Sequence, residues 1–224
     1  MKPRPNTHRT EAFTRTELFV VVGCVVLVFA VALLLPALAA AKRKSARIGC
    51  VNCLHQIGTA FNIWEGSNSD KYSMQFALTN SEMMKLISSG RAYVLWQTMS
   101  NELITPKVLH CPDDAEHVAA ANFDIGFCDA NISYFFSLDA AETYPQMILD
   151  GDDNLAVNGV RVKPGILYLS TTNSLAWTKE RHGGGGNIGM ADGSVQQTTP
   201  TTLNSSVIAA TNGVPVTTYR LAIP

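Results

Sequence analysis

The sequence predicts an α+β protein in which a long N-terminal transmembrane helix packs on a small antiparallel β-sheet domain. Residues 18–41 are 24 consecutive uncharged residues. A helix of that length extends ~36 Å, enough to cross a hydrocarbon core of ~30 Å. Apolar side chains then recur at helical spacing between residues 50 and 64. Further along the chain, short segments rich in aromatic and β-branched residues alternate with turn residues, which is typical of antiparallel sheets.

The N-terminal helix is expected to span residues 13–64 and to lie in two environments. Residues 13–41 would form its transmembrane half and residues 42–65 its exposed amphipathic half, after a leader of residues 1–12. One face of the second half carries apolar residues at spacings of 4, 3, 4 and 3, namely Cys50, Leu54, Ile57, Phe61 and Trp64. Residues 66–224 then remain for one globular α+β domain.

The globular domain is expected to begin with small helices and to continue with strands. The segment SEMMKLISSG predicts a short helix with Ser81 as N-cap and Gly90 beyond its C-terminus. The segment YVLWQTM fits either a strand or a helix. Strands are predicted in segments 105–114, 131–140, 161–172 (one strand or a pair) and 217–224 (an edge strand). The acidic segment ILDGDDN, residues 148–154, predicts a solvated turn.

A β-hairpin is the strongest local prediction in the C-terminal third. The segment RHGGGGNIGMADGSVQQ contains a glycine loop, the strand NIGMA, the dipeptide Asp192-Gly193 and the strand SVQQ. An Asp-Gly pair between two strands is typical of a two-residue hairpin turn, so the hairpin would cover residues 182–196. Asp192 is therefore expected to be a turn residue.

The charge of the chain argues against a nucleic-acid partner. The net charge is −1, from 17 basic and 18 acidic residues. Removing residues 1–12 would take away three basic residues and one acidic residue, leaving 14 against 17 and a net charge of −3. No basic face for phosphates follows from such a balance. Basic residues flank the apolar run on both sides, so charge alone leaves the membrane orientation open.

The N-terminal residues resemble the prepilin-type N-terminus of type IV pilins and type II secretion pseudopilins. Ala12, Phe13, Thr14 and Glu17, followed by the apolar run, carry this resemblance, with Ala12 where the family usually has glycine. It implies cleavage before Phe13 by a prepilin peptidase, methylation of the new N-terminus, and pairing of Glu17 with the amine of a neighbouring subunit. It also implies a pilin-like lollipop fold with no catalytic residues. The protein would be an inner-membrane subunit with a periplasmic domain, assembling with itself and other pilin-like subunits in a pseudopilus.

Three further segments resemble one branch of that family, named for an H-x9-D-G motif. CVNCLHQIG resembles its pattern C-x-N-N-L-x-Q-I-G, and Cys111-Pro112-Asp113 resembles its Cys-Pro-x-Asp. His182 is followed after nine residues by Asp192-Gly193. Because Cys50 and Cys111 both lie at positions of the family pattern, the resemblance suggests a disulfide between them. Unpaired buried thiols are the alternative. A zinc site from Cys50, Cys53 and Cys111 with His110 or Cys128 is a weaker hypothesis, since one CxxC is no zinc signature.

Other candidate chemistry in the sequence is limited. His182 before four glycines is superficially similar to an esterase oxyanion loop, but no G-x-S-x-G nucleophile elbow occurs, so His182 is expected to pack on the hairpin. Asp150, Asp152 and Asp153 form a hypothetical Ca²⁺ site, because major pseudopilins are similar in often holding one Ca²⁺ in a C-terminal loop. An EF-hand is excluded by Leu155 at the position of its glycine. No other cofactor is expected.

Three alternatives to the pseudopilin interpretation stay open at the level of sequence. Ala37-Leu38-Ala39 is a sequence that a signal peptidase could cleave, which would make the chain a secreted protein. The apolar run could also be a plain uncleaved anchor. In that case the runner-up function is a membrane-anchored extracytoplasmic domain that binds a ligand and never polymerises. A secreted enzyme is a distant third, for want of a nucleophile–base constellation.

Overall fold

The computed structural model of the protein describes residues 14–170, 172–214 and 218–224. Its contacts divide the chain into two compact units, residues 1–42 and residues 43–224. Helix α1, Arg15–Ser67, contributes to both units and is continuous through Pro36. The predicted helix over 13–64 is therefore confirmed to within three residues at its C-terminal end. Ala12 and Phe13 lie outside the described residues.

The part of the first unit that the structure describes, residues 14–42, is almost entirely helical and has an apolar surface. Its large aliphatic and aromatic side chains are exposed, up to 75% for Phe19 and 74% for Leu33. Among the described residues, α1 is the one helix long and apolar enough to cross a membrane, as judged by length and composition. Apolar area of this extent is unfavourable in water, so the segment needs a lipid or protein environment.

The second half of α1 is part of the core of the second unit. Cys50, Leu54, Ile57 and Phe61 are all almost fully buried, and Trp64 is half-buried against the same core. The ring of Phe61 makes edge contacts with Tyr72 and Trp96. The predicted apolar face is therefore confirmed.

Four short α-helices and then a 3₁₀ helix follow α1. Two predictions for this region, one N-cap and one strand, are wrong. The α-helices are α2 (Ser73–Thr79), α3 (Ser81–Ser88), α4 (Tyr93–Thr98) and α5 (Ser100–Leu103). The N-cap of α3 is Asn80 and not Ser81, because the Asn80 side chain accepts hydrogen bonds from two free backbone amides of the first turn. Segment 105–114 is wrong as a strand. It contains the 3₁₀ helix Pro106–Leu109, which begins at a proline that favours a helical start.

Among the described residues, the 3₁₀ helix Asp129–Asn131, nine strands and one further α-helix complete the second unit. The strands are β1 (Tyr134–Ser137), β2 (Ile148–Asp152), β3 (Leu155–Val157), β4 (Val160–Arg161), β5 (Gly165–Ser170), β6 (Leu175–Trp177), β7 (Gly186–Met190), β8 (Val195–Thr198) and β9 (Thr218–Ile223). Helix α6 is Pro200–Thr211. A six-stranded antiparallel sheet has the order β5-β9-β1-β2-β7-β8, and a smaller sheet has the order β4-β3-β6. The predicted fold class, a long N-terminal apolar helix followed by an antiparallel α+β domain, is confirmed.

Two segments of the sheet differ from prediction. Segment 148–154 contains the buried strand β2, between β1 and β7, and is not a solvated turn. Strand β9 lies between β5 and β1 and is not an edge strand. In β2 the carboxylates of Asp150 and Asp152 are buried together with Ile148 and Leu149, and most of the apolar residues of β9 are buried as well.

The hairpin β7–β8 is confirmed, with a longer turn than predicted. The Met190 N–H donates to the Ser194 carbonyl at 2.8 Å, so Ala191, Asp192 and Gly193 form a three-residue loop. Gly193 has a φ of +80°, which glycine adopts without strain. This geometry matches the common three-residue hairpin loop with glycine in its left-handed position.

Candidate functional site

Glu17, the expected assembly residue, has a local partner at the N-terminus of α1. Its carboxylate accepts hydrogen bonds from the backbone N–H and the hydroxyl of Thr14, both at 2.8 Å. The Glu17 N–H donates in return to the Thr14 hydroxyl at 3.3 Å. This reciprocal arrangement is a capping box, whose T-x-x-E signature is visible in the sequence. Glu17 thus stabilises the start of its own helix in the isolated chain.

The second unit brings together four side chains that can ligate a metal. They are Cys50 on α1, Cys111 after the 3₁₀ helix, Asp152 at the end of β2 and His182 before β7, with donor atoms all within 4.8 Å of one another. We call them the Cys₂-Asp-His cluster. The Cys50 thiol donates to Asp152 Oδ1 at 3.0 Å. His182 Nε2 lies 3.4 Å from the Cys111 sulfur and 3.4 Å from Asp152 Oδ2.

A second layer of polar groups holds the cluster in place. Asn187, on β7, donates from Nδ2 to the Cys50 sulfur at 3.2 Å and to Asp152 Oδ2 at 3.0 Å. Its backbone N–H donates to the same carboxylate oxygen at 2.7 Å. The Tyr134 hydroxyl, on β1, donates to the Cys50 sulfur at 3.4 Å. Both Cys50 and Asp152 are therefore oriented by several donors.

His182 reaches the cluster through an uncommon backbone conformation. Its φ is +51°, a left-handed value that costs a non-glycine residue about 1–3 kcal/mol and is found mainly at functional sites. The carboxylate of Asp113 accepts a hydrogen bond from the His182 N–H at 2.6 Å. The same oxygen lies 3.2 Å from Nδ1, outside the direction of a hydrogen bond among the described atoms. Contact with Cys111 and Asp152 replaces the simple packing on the hairpin that the sequence suggested.

The protonation of the cluster is strongly perturbed. Burial, followed by contact with Cys111 and Asp152, raises the pKa of the Cys50 thiol well above its usual range. A hydrogen bond with Cys50, opposed by burial and helped by the His182 imidazole, lowers the pKa of Cys111 to about 6. Burial alone would lower the pKa of His182, but Asp152 and Cys111 outweigh it and raise the pKa to about 9. Cys111 is nevertheless completely buried, so a substrate cannot reach its sulfur.

A neighbouring acidic group is already neutralised by an arginine. Asp114, His117 and Asp153 also lie within metal-binding distance of one another. However, the buried guanidinium of Arg181 lies 3.1 Å from Asp114 Oδ2 and forms a closer ion pair with Asp153. His117 Nδ1 is 2.7 Å from the same oxygen of Asp114. This cluster is an internal salt bridge, because the arginine provides the positive charge that a metal would bring.

The hypothetical Ca²⁺ ligands do not form one site. Asp152 belongs to the Cys₂-Asp-His cluster, and Asp153 pairs with Arg181. Asp150 is fully buried, and neither of its carboxylate oxygens has a hydrogen-bond partner among the described residues. Burial raises its pKa well above the usual range. Asp152 is held by the cluster and Asp153, beyond the end of β2, is held by Arg181, so the three carboxylates have different surroundings.

The disulfide and the zinc ligands suggested by the sequence agree only in part with the structure. Cys50 and Cys111 share the cluster as free thiols, without the suggested disulfide. Cys53 instead directs its thiol toward the His110 carbonyl at 4.0 Å, and Cys128 is exposed. The ligand set based on Cys53 and His110 or Cys128 is therefore wrong among the described residues.

The other end of the H-x9-D-G motif contacts α1. Asp192 Oδ1 accepts from the Ser194 N–H at 2.8 Å, as expected for a turn residue. The carbonyl of Gly193 lies 3.1 Å from Nδ1 of His55 on α1. Since His182 approaches Cys50 on the same helix, the nine-residue spacing places both ends of β7 against α1.

Asn187, Asp113 and Arg181 support these sites, and the sequence interpretation gave none of them a role, although it named Asp113 within the segment Cys111-Pro112-Asp113. One available signal was polarity in an apolar context, since Asn187 begins the strand NIGMA. The other was adjacency, because Asp113 and Arg181 are next to motif residues.

Comparison with known proteins adds no relative. No protein-family model matches the chain, and no curated protein or solved structure is significantly similar to it.

Proposed function

We propose that the protein is a pseudopilin-like structural subunit of a type II secretion or type IV pilus-like system. A prepilin peptidase would cleave it between Ala12 and Phe13, and it would then assemble through helix α1 with copies of itself and other pilin-like subunits. It would not be an enzyme. The observation that carries this proposal is the continuity of α1, which combines an exposed apolar segment with a face buried in a folded domain.

The exposed apolar segment supports two successive environments. In the inner membrane, residues 18–41 would be covered by lipid, with the N-terminus in the cytoplasm and the second unit in the periplasm. In a filament, the same surface would pack against the helices of neighbouring subunits. Both environments remove the apolar area from water, so a transfer between them keeps most of the hydrophobic stabilisation.

Glu17 supports assembly over simple anchoring. An acidic side chain in a membrane helix is costly, up to about 2.5–3.5 kcal/mol near the bilayer centre, and such residues are usually functional. The capping box with Thr14 satisfies part of the carboxylate within one chain. A neighbour's N-terminal amine would add a positive charge that Thr14 cannot provide, and assembly would therefore lower the cost of Glu17.

The test separates these two roles of Glu17. Full-length variants Glu17→Ala and Thr14→Ala are produced alongside the other components of the system, and filament incorporation is measured by cross-linking in cells. Both variants lose the capping box, but Thr14→Ala keeps the carboxylate. We expect both to insert in the membrane, and Glu17→Ala alone to lose incorporation. Equal loss in both variants would assign Glu17 to capping only. Unchanged incorporation of Glu17→Ala would favour a non-polymerising anchored domain.

A further inference from the structure

We propose that Cys50, Cys111, Asp152 and His182 bind one Zn²⁺ ion as a structural site. The site does not depend on filament assembly, since all four ligands belong to the second unit. It uses two cysteines of the family-like patterns and the histidine of the H-x9-D-G motif, together with an aspartate from the centre of the sheet.

The spacing of the donor atoms fits a tetrahedral zinc ion. Zn–S bonds of about 2.3 Å and Zn–N or Zn–O bonds of about 2.0–2.2 Å place neighbouring ligand atoms roughly 3.3–3.8 Å apart. The separation from His182 Nε2 is 3.4 Å both to the Cys111 sulfur and to Asp152 Oδ2. The Cys50 sulfur is 3.0 Å from Asp152 Oδ1, the other oxygen of that carboxylate, and the four donor atoms all lie within 4.8 Å of one another, so side-chain shifts would bring one carboxylate oxygen, both sulfurs and Nε2 to tetrahedral spacing.

The donor set selects a borderline-soft divalent cation. Thiolates and imidazole bind Zn²⁺ well, whereas Ca²⁺ and Mg²⁺ require oxygen ligands. Binding would release two protons to solvent, the thiol proton of Cys50 and the proton shared between Cys111 and His182, so that both sulfurs bind as thiolates and His182 binds through the Nε2 lone pair of a neutral ring. Two thiolates, one carboxylate and Zn²⁺ carry a combined charge of −1. Four protein ligands leave no open position, which is typical of a structural site and not of a catalytic one.

The groups around the cluster are those that support metal ligands. Asn187 and Tyr134 donate to the Cys50 sulfur, where they would stabilise a thiolate. Asp113 Oδ2 lies 3.2 Å from Nδ1, the far nitrogen of the His182 ring, so a small reorientation of that carboxylate would give the hydrogen bond that zinc-binding histidines usually make. The left-handed backbone at His182 is held against strain by the hydrogen bond to Asp113. The cluster therefore has both the ligands themselves and the surrounding groups that orient metal ligands.

The ion would fasten four separate segments of the second unit. Cys50 and Asp152 are 102 residues apart, and they join α1 to the central strand β2. Because the unfolded chain has no preformed site, the free energy of binding would add directly to the stability of the fold. Zinc would also keep Cys50 and Cys111 from forming a disulfide in an oxidising compartment.

Metal content of the full-length protein tests the proposal. The chain is purified in detergent without chelator, dialysed, and analysed by mass spectrometry for metals. The variants are Cys111→Ser and His182→Gln, with Cys53→Ser as the matched control, since Cys53 lies three residues from Cys50 but outside the cluster. We expect one Zn²⁺ per chain in the wild type and the control, and loss of most of it in the two ligand variants.

Cobalt substitution keeps the test valid if a ligand variant fails to fold. Wild-type protein loaded with Co²⁺ should show thiolate-to-cobalt charge transfer and the intense visible bands of tetrahedral cobalt. Retention of zinc by Cys111→Ser would overturn the proposal. So would metal-free wild-type protein whose Cys50 and Cys111 are joined by a disulfide, or whose two thiols react with alkylating agents unchanged by added Zn²⁺.

Discussion

Replacing Phe61 by alanine tests whether the second half of α1 is a structural part of the folded unit. Phe61 is fully buried, and its ring centroid lies 5.8 Å from that of Tyr72 and 5.7 Å from that of Trp96, both in edge-to-face geometry. Truncating a buried phenylalanine costs about 3–5 kcal/mol. Each aromatic pair contributes about 0.5–1.5 kcal/mol beyond its buried area, so we expect a value in the upper part of that range.

The matched control lies two residues away on the same helix. Ile63 is 53% exposed, so Ile63→Ala should change the free energy of unfolding by no more than about 0.5 kcal/mol. The assay is urea unfolding of the full-length chain in detergent, followed by tryptophan fluorescence, to which Trp96 contributes as a direct neighbour of Phe61. A loss below about 1 kcal/mol for Phe61→Ala, or equal losses in both variants, would refute this packing.

Three further changes probe the hairpin, the buried Glu65 on α1 and the zinc proposal. Gly186→Ala should destabilise the fold by about 1–3 kcal/mol or more, because a Cβ would lie 2.5 Å from the Trp177 ring. Burial, together with a nearby carboxylate, raises the pKa of Glu65 to about 7. The folded state therefore binds more protons than the unfolded state from about pH 4.5 to 7, stability falls as pH rises through this window, and Glu65→Gln should remove that fall. Asp113→Asn should weaken Zn²⁺ binding about 10–100-fold.

Each of these changes has its own contradicting result, and Gly186→Ala also has a matched control. For Gly186→Ala the control is Gly66→Ala, whose added Cβ would meet no described atom within 4 Å, and equal unfolding midpoints would refute the clash. An unchanged slope of stability against pH in Glu65→Gln would contradict the raised pKa of Glu65. Zinc competition titrations that give the same affinity for Asp113→Asn and the wild type would remove Asp113 from the support of His182.

Local patterns in the sequence predicted the elements whose side chains repeat regularly. The stripe from Cys50 to Trp64 has helical spacing, and the structure buries its first four members. The hairpin around Asp192-Gly193 was also predictable, because turn chemistry depends on neighbouring residues. The length of its loop, three residues, was not predictable, since the register of the two strands is set by the hydrogen bond between Met190 and Ser194.

The buried strand β2 and the Cys₂-Asp-His cluster were not predictable, because they depend on contacts between residues far apart in the sequence. Segment 148–154 has three aspartates, and such residues are normally solvated. Asp152 is buried because donors from β7 and a thiol from α1 satisfy its carboxylate, across 35 and 102 residues of chain. No local pattern contains those contacts. The Cys₂-Asp-His cluster was therefore visible in the sequence as separate motif residues, while its assembly and its aspartate were not.

The mature N-terminus of the membrane-extracted protein, determined by mass spectrometry, tests the proposed function most directly. Processing by a prepilin peptidase predicts a chain that starts at Phe13 with a methylated amine, even though Ala12 stands where the family usually has glycine. A chain that starts at Met1 would contradict processing and favour a plain anchor. A start near Ala40 or Lys42 would contradict it as well and would indicate a secreted protein.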